Sequence, residues 1–218
     1  MLLGLLMLAA WATPGEGADG GRFALTILAG NEAAREIGTA REAFPAYRQM
    51  AAAEESQGRF REACIGYRNA AAAAASLSRR QDALDLSQKA VEMGQKGGSQ
   101  YELGHARAAL GRAYLSVKDA PKAIQQFELA LGHVRGSSRW LFEVSLHRAL
   151  GQAYRQSGRL DLAQDHIQKA IALYEDKTAR QGPQRGMSVQ AWRNLENRQQ
   201  AYVTTLRELG WLHILQAP

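Results

Sequence analysis

The sequence predicts an all-α protein, a solenoid of antiparallel helix hairpins with about eight helices. Three observations carry this expectation. Small and large apolar residues recur at helical spacing, and chain breakers arrive about every twenty residues. Residues 110–131, LGRAYLSVKDAPKAIQQFELAL, also have an echo forty positions on, at 150–171, LGQAYRQSGRLDLAQDHIQKAI. Composition agrees: only 5 Pro occur in 218 residues, and Ala, the best helix former, is abundant.

Residues 1–12, MLLGLLMLAAWA, are apolar throughout, and TPGEGADGG then turns polar and glycine-rich. This pattern fits a secretory signal cleaved after Ala12, and it is too short to span a bilayer. The stretch carries no Lys or Arg, so an ordinary apolar N-terminus stays open beside it. The first reading makes the protein secreted or periplasmic, the second cytoplasmic. Cys64 is the only cysteine, so no intrachain disulfide forms; its apolar neighbours Ala63 and Ile65 mark it as a small core residue.

Residues 13–44 read as a linker and irregular N-terminal segment. Pro45 biases Phe44 away from the α region, which places the first clear helix at 45–57, with Gly58 ending it. Further breaks fall at SQGR (56–59), SLSRRQ (76–81), GQKGGS (94–99), VKDAP (117–121), RGSSR (135–139), SGR (157–159) and QGPQRG (181–186). Helices of about 25 Å fill the gaps. Alternating longer and shorter connections pair them into units at 60–97, 99–136 and 139–176, within a repeat region of 45–176. Ser99 with Glu102 reads as a capping box, and Asp119 caps a helix whose first turn holds Pro121. Ser188 precedes a stripe of Val189, Trp192, Leu195, Tyr202, Leu206 and Leu209, which predicts a capping helix at about 188–209 inside a C-terminal unit, 187–218. Its apolar tail, WLHIL, suits packing back onto the array or self-association.

Aligned at a spacing of forty, the same slots recur. Ala70, Leu110 and Leu150 correspond, as do Ala71, Gly111 and Gly151; Ala74, Tyr114 and Tyr154; Ala83, Ala123 and Ala163; Ser87, Phe127 and Ile167; and Ala90, Ala130 and Ala170. A small residue lets the partner helix approach, and a large one fills the space beside it. No hairpin buries its apolar face alone, so neighbours must stack. The Leu-Gly-then-Tyr and Ala-Phe-Ala series resembles the tetratricopeptide repeat (TPR), in a longer variety of about forty residues. The match is good at 110–131 and 150–171 and weaker at 70–91. Residues 55–70 also look like the middle of such a unit, through Gly58, Ala63, Tyr67 and Ala70, which leaves the first pairing open.

No phosphate-cradling glycine loop, G-x-S-x-G elbow or C-x-x-C motif is present. The five histidines never pair three or four apart on one helix, so the sequence implies no metal site, no cofactor and no catalytic residue. What remains is surface. The resemblance implies a concave groove lined by first-helix residues and a protein or peptide partner. The stripe opposite the packing residues gives Arg68, Ala72 and Ala75; Ala108, Arg112 and Leu115; and Arg148, Gln152 and Arg155, with His105 one turn before Ala108. Of these, Arg68, His105, Arg112, Arg148, Gln152 and Arg155 are the candidate groove residues. Four arginines favour an acidic or carboxylate-bearing segment, since guanidinium offers a planar fork of donors. Solvation, or pairing with neighbouring acids, is the equal alternative. The net charge of +6 also admits a nucleic-acid or anionic-surface binder using the basic C-terminal helix, although no aromatic-interleaved basic motif accompanies it.

Overall fold

A computed structural model describes residues 40–97, 99–134 and 140–179, without the side chains of 177–179. The expected signal segment, most of the linker, and the C-terminal helix with its tail lie outside the described residues. Seven α-helices and no strand occur among the described residues: α1 (Ala40–Ser56), α2 (Phe60–Ser76), α3 (Arg80–Lys96), α4 (Gln100–Ser116), α5 (Ala120–Val134), α6 (Trp140–Gln156) and α7 (Leu160–Ala179). None is long and apolar enough to cross a membrane.

Each helix packs on its sequence neighbours, with the broadest contacts at α1/α2, α2/α3, α4/α5 and α6/α7. Short links of this kind leave consecutive helices antiparallel. Helix α2 thus packs broadly on both α1 and α3 and serves two hairpins, which matches the double reading of its sequence. The first members of the pairs also meet, α2 against α4 and α4 against α6. Helix α4 belongs to both main cores. Leu103, Ala106 and Leu110 join a cluster with Phe44, Tyr67 and Met93, while Ala108 joins Phe127, Leu146, Leu150 and Ile167.

Two boundaries differ from expectation. The first helix begins at Ala40 rather than Pro45, and Pro45 sits inside it. The bond that proline cannot make would go to the carbonyl of Arg41; both residues are exposed near the helix start, where solvent can take the carbonyl. The predicted break at 94–99 is also shorter, because α3 runs through Gly94 to Lys96. Gly94 is there for proximity: a Cβ would lie 3.2 Å from Leu103 Cα and 3.3 Å from Cys64 Sγ. The alternation of long and short links therefore fails at this point.

Four of the described links repeat one another. Gly58, Ser78, Lys118 and Gly158 all take φ between 60° and 77°. At each, the following N–H reaches back to close the helix: Arg59 to Glu54 O, Arg79 to Ala74 O, Asp119 to Tyr114 O and Arg159 to Tyr154 O, at 2.9–3.0 Å. This is the Schellman closure, which satisfies carbonyls that the helix end would otherwise leave unpaired.

Inside the hairpins the small and large slots interlock as the sequence predicts. A Cβ added to Gly111 would lie 2.6 Å from the ring of Phe127, and one added to Gly151 would lie 2.6 Å from Ile167 Cδ1. Phe127 is fully buried, which contributes about 1.5–3 kcal/mol of apolar transfer.

Candidate functional site

Helices α2, α4 and α6 touch one another across the hairpins. Between α4 and α6 lies an open cleft of about 610 Å³, lined by Arg112, Leu115, Ser116, Gln152, Arg155 and Gln156. Three of the six sequence-selected residues thus share one cleft: Arg112 from α4, and Gln152 and Arg155 from α6. They are one helical turn apart, so Gln152 and Arg155 present the same face. Gln156 Nε2 donates to the Leu115 carbonyl across the cleft at 3.4 Å, and Ser116 Oγ donates back to Ala113 O at 2.7 Å.

Arg112 is exposed along its side chain, and no carboxylate pairs with it among the described residues. Crowding by the cleft walls and, second, the positive charge of Arg68 act on its guanidinium. Both lower its pKa. Arginine keeps its proton regardless, so these effects leave a cation that an incoming anion would stabilise.

The other three candidates have different surroundings. Arg68 Nη1 donates to Glu102 Oε2 at 3.1 Å, with Arg61 at 4.0 Å from the other carboxylate oxygen. Glu102 was expected to complete a capping box. Ser99 does accept the Glu102 N–H at 3.3 Å, but the carboxylate turns away to Arg68 and ties α4 to α2. Arg68 therefore follows the alternative of pairing with a neighbouring acid. His105 is drawn into packing, its ring stacked on Phe142 at 3.7 Å and met edge-on by Tyr101 at 4.5 Å. Arg148 is half-buried, its Nε enclosed without a hydrogen-bond partner, and Ala108 of the same stripe is wholly buried.

Cys64 is fully buried, and burial pushes its thiol up to about 12, so the thiolate is not formed near neutral pH. No group of three metal-ligating side chains is gathered among the described residues.

Comparison with known proteins agrees with this architecture. Residues 144–177, spanning most of α6 and α7, match the tetratricopeptide repeat family. The described part of the chain has a TPR-like solenoid fold. Among solved TPR-like structures, BtubC (BKLC) from P. vanneervenii aligns with a TM-score of 0.61 and 20% identity, over 77% of this chain and 69% of that one. A Podospora anserina chain of nearly identical TPR-like repeats, described as a kinesin light chain, aligns with a TM-score of 0.59 and 17% identity, over 90% and 98%. At such identities the likeness is one of fold. No curated protein matches at significant similarity. A TPR fold of this kind is in general a non-catalytic scaffold for protein–protein interaction.

Proposed function

We propose that this TPR array is a non-catalytic interaction module that holds an acidic segment of a protein partner in the cleft between α4 and α6. The observation that supports this reading most directly is Arg112: a cation in a concave cleft, beside Gln152 and Arg155, with no carboxylate partner among the described residues. The guanidinium groups supply charge and forked donors for a carboxylate, the Gln152 and Gln156 amides can bond a peptide backbone, and Leu115 offers an apolar contact. Arg68 instead supports the α2–α4 contact through Glu102.

The reading is tested with two fluorescein-labelled decapeptides, one rich in glutamate and its glutamine counterpart, followed by anisotropy. The unaltered chain should prefer the glutamate peptide. Arg112→Ala should weaken binding about tenfold, the scale of one lost hydrogen bond to a charged group, while circular dichroism and melting stay unchanged. Arg68→Ala should instead lower the melting temperature. Equal affinity for the two peptides, or an Arg112→Ala, Arg155→Ala chain that binds like the original, would overturn the proposal. For export, the apolar stretch 1–12 is the support, and N-terminal sequencing of the mature protein checks cleavage after Ala12.

A further inference from the structure

His147 on α6 and His166 on α7 bring their Nδ1 atoms to 3.0 Å. Their positions have counterparts one repeat earlier. Forty residues before them stand Arg107 and Gln126, and there Arg107 Nη1 donates to Gln126 Oε1 at 3.2 Å, linking α4 to α5. The same point of two successive hairpins thus carries a polar clasp between the paired helices. One clasp is made by an arginine and an amide, neither of which changes charge near neutral pH. The other is made by two imidazoles, each of which does.

We propose that the His147–His166 clasp makes the last described hairpin the more acid-sensitive one, so that between neutral pH and about pH 5 α6/α7 loosens further than α4/α5, whose clasp is Arg107 with Gln126. The histidines of α4/α5 stand outside its clasp: His133 is held below the ordinary histidine range by burial and by Arg107, and His105 stacks on Phe142.

Proton counting gives the mechanism. With both rings neutral, or with one protonated, a single Nδ1–H can lie between the two nitrogens and bond to the other's lone pair. With both rings protonated, two N–H groups face each other at 3.0 Å and the bond is lost. His147 is buried and His166 half-buried, so neither charge is readily shed into water. The charged surroundings are divided. Lys169 opposes a proton on His166, whereas Asp165 on α7 and Glu128 on α5 favour one. Both acids are engaged elsewhere: Asp165 accepts from Lys169 at 2.6 Å, and Glu128 accepts the Tyr154 hydroxyl at 2.9 Å, while the Tyr154 ring stacks on His166. Burial is the largest influence on His166 and lowers its pKa. An unfolded chain binds the His166 proton at the ordinary histidine pH and the folded chain binds it less readily, so this contribution to stability is full above about 6.5 and falls as pH drops below it.

The test uses amide hydrogen exchange on the whole chain at pH 7 and pH 5, corrected for the intrinsic pH dependence of exchange. Protection in α6/α7 should fall about tenfold relative to α4/α5, the effect of one pKa unit. The double change H147R and H166Q copies the Arg107–Gln126 clasp and should abolish that fall. A double-substituted chain that loses protection as steeply as the original overturns the proposal. Should it fail to fold, ring titration by NMR on the unaltered chain decides. A second protonation displaced to lower pH, with protection lost alongside it, supports the clasp; two independent titrations with α6/α7 protection unchanged overturn it. Helix α6 also carries Gln152 and Arg155, so a consequence for ligand release rests on the groove reading; ligand-free exchange tests the clasp apart from it.

Discussion

The α2/α3 hairpin and the two that follow solve one packing problem with different residues. In α4/α5 and α6/α7, a glycine faces a large apolar side chain, Phe127 or Ile167, at separations that leave no room for a methyl group. The corresponding positions of α2/α3 hold Ala71 and Ser87, both buried. As the first slot gains a methyl group, the second gives up its ring. The α2/α3 pair is therefore smaller in total, with a small residue in both slots where the later hairpins set a small one against a large one.

Removing the large partner should do the most damage. Phe127→Ala is expected to cost about 3–5 kcal/mol, because the fully buried ring leaves a cavity against Gly111; Ser87→Ala should cost less than about 1 kcal/mol. Urea melts of both variants check the contrast, and equal losses would break it. A sharper test exchanges the arrangements. Ser87→Phe alone should destabilise by about 1–3 kcal/mol through overpacking. Adding Ala71→Gly should return at least about 1 kcal/mol of that, as a coupling energy in a double-mutant cycle. Strict additivity would show that the two slots do not share space. The smallest effect concerns the turns. Ser78 and Lys118 hold the left-handed conformation that Gly58 and Gly158 adopt freely, so Lys118→Gly should stabilise by about 0.5–1 kcal/mol, read as a raised melting temperature. A loss of stability there would mean that the Lys118 side chain contributes more than its backbone strain costs.

Much of the fold was legible because the small and large slots act locally and repeat. Where glycine had two uses, sequence alone could not separate them: Gly94 read as a helix break, yet it lies within α3 to admit Leu103 and Cys64. Pro45 misled for a related reason, since the penalty it signals depends on whether the orphaned carbonyl can reach solvent. At the site, helical spacing on α6 brought Gln152 and Arg155 into one cleft with Arg112. It did not foresee that Glu102 would leave its cap for Arg68, or that Phe142, on another helix, would take up His105. The His147–His166 contact was hidden because the rings lie on different helices, nineteen positions apart. Comparing Arg107 and Gln126 with their counterparts forty residues on was the available signal.

The recurring turn has one further consequence. Gly58, Ser78, Lys118 and Gly158 close their helices with the same backbone bonds, at intervals of twenty or forty positions. A chain spliced between turns forty positions apart, such as Ser78, Lys118 and Gly158, keeps both its helical phase and its side-chain facing. The turns are therefore natural seams for duplication: an array of this kind can lengthen or shorten by whole hairpins without redesigning a joint, and its two faces remain in register throughout.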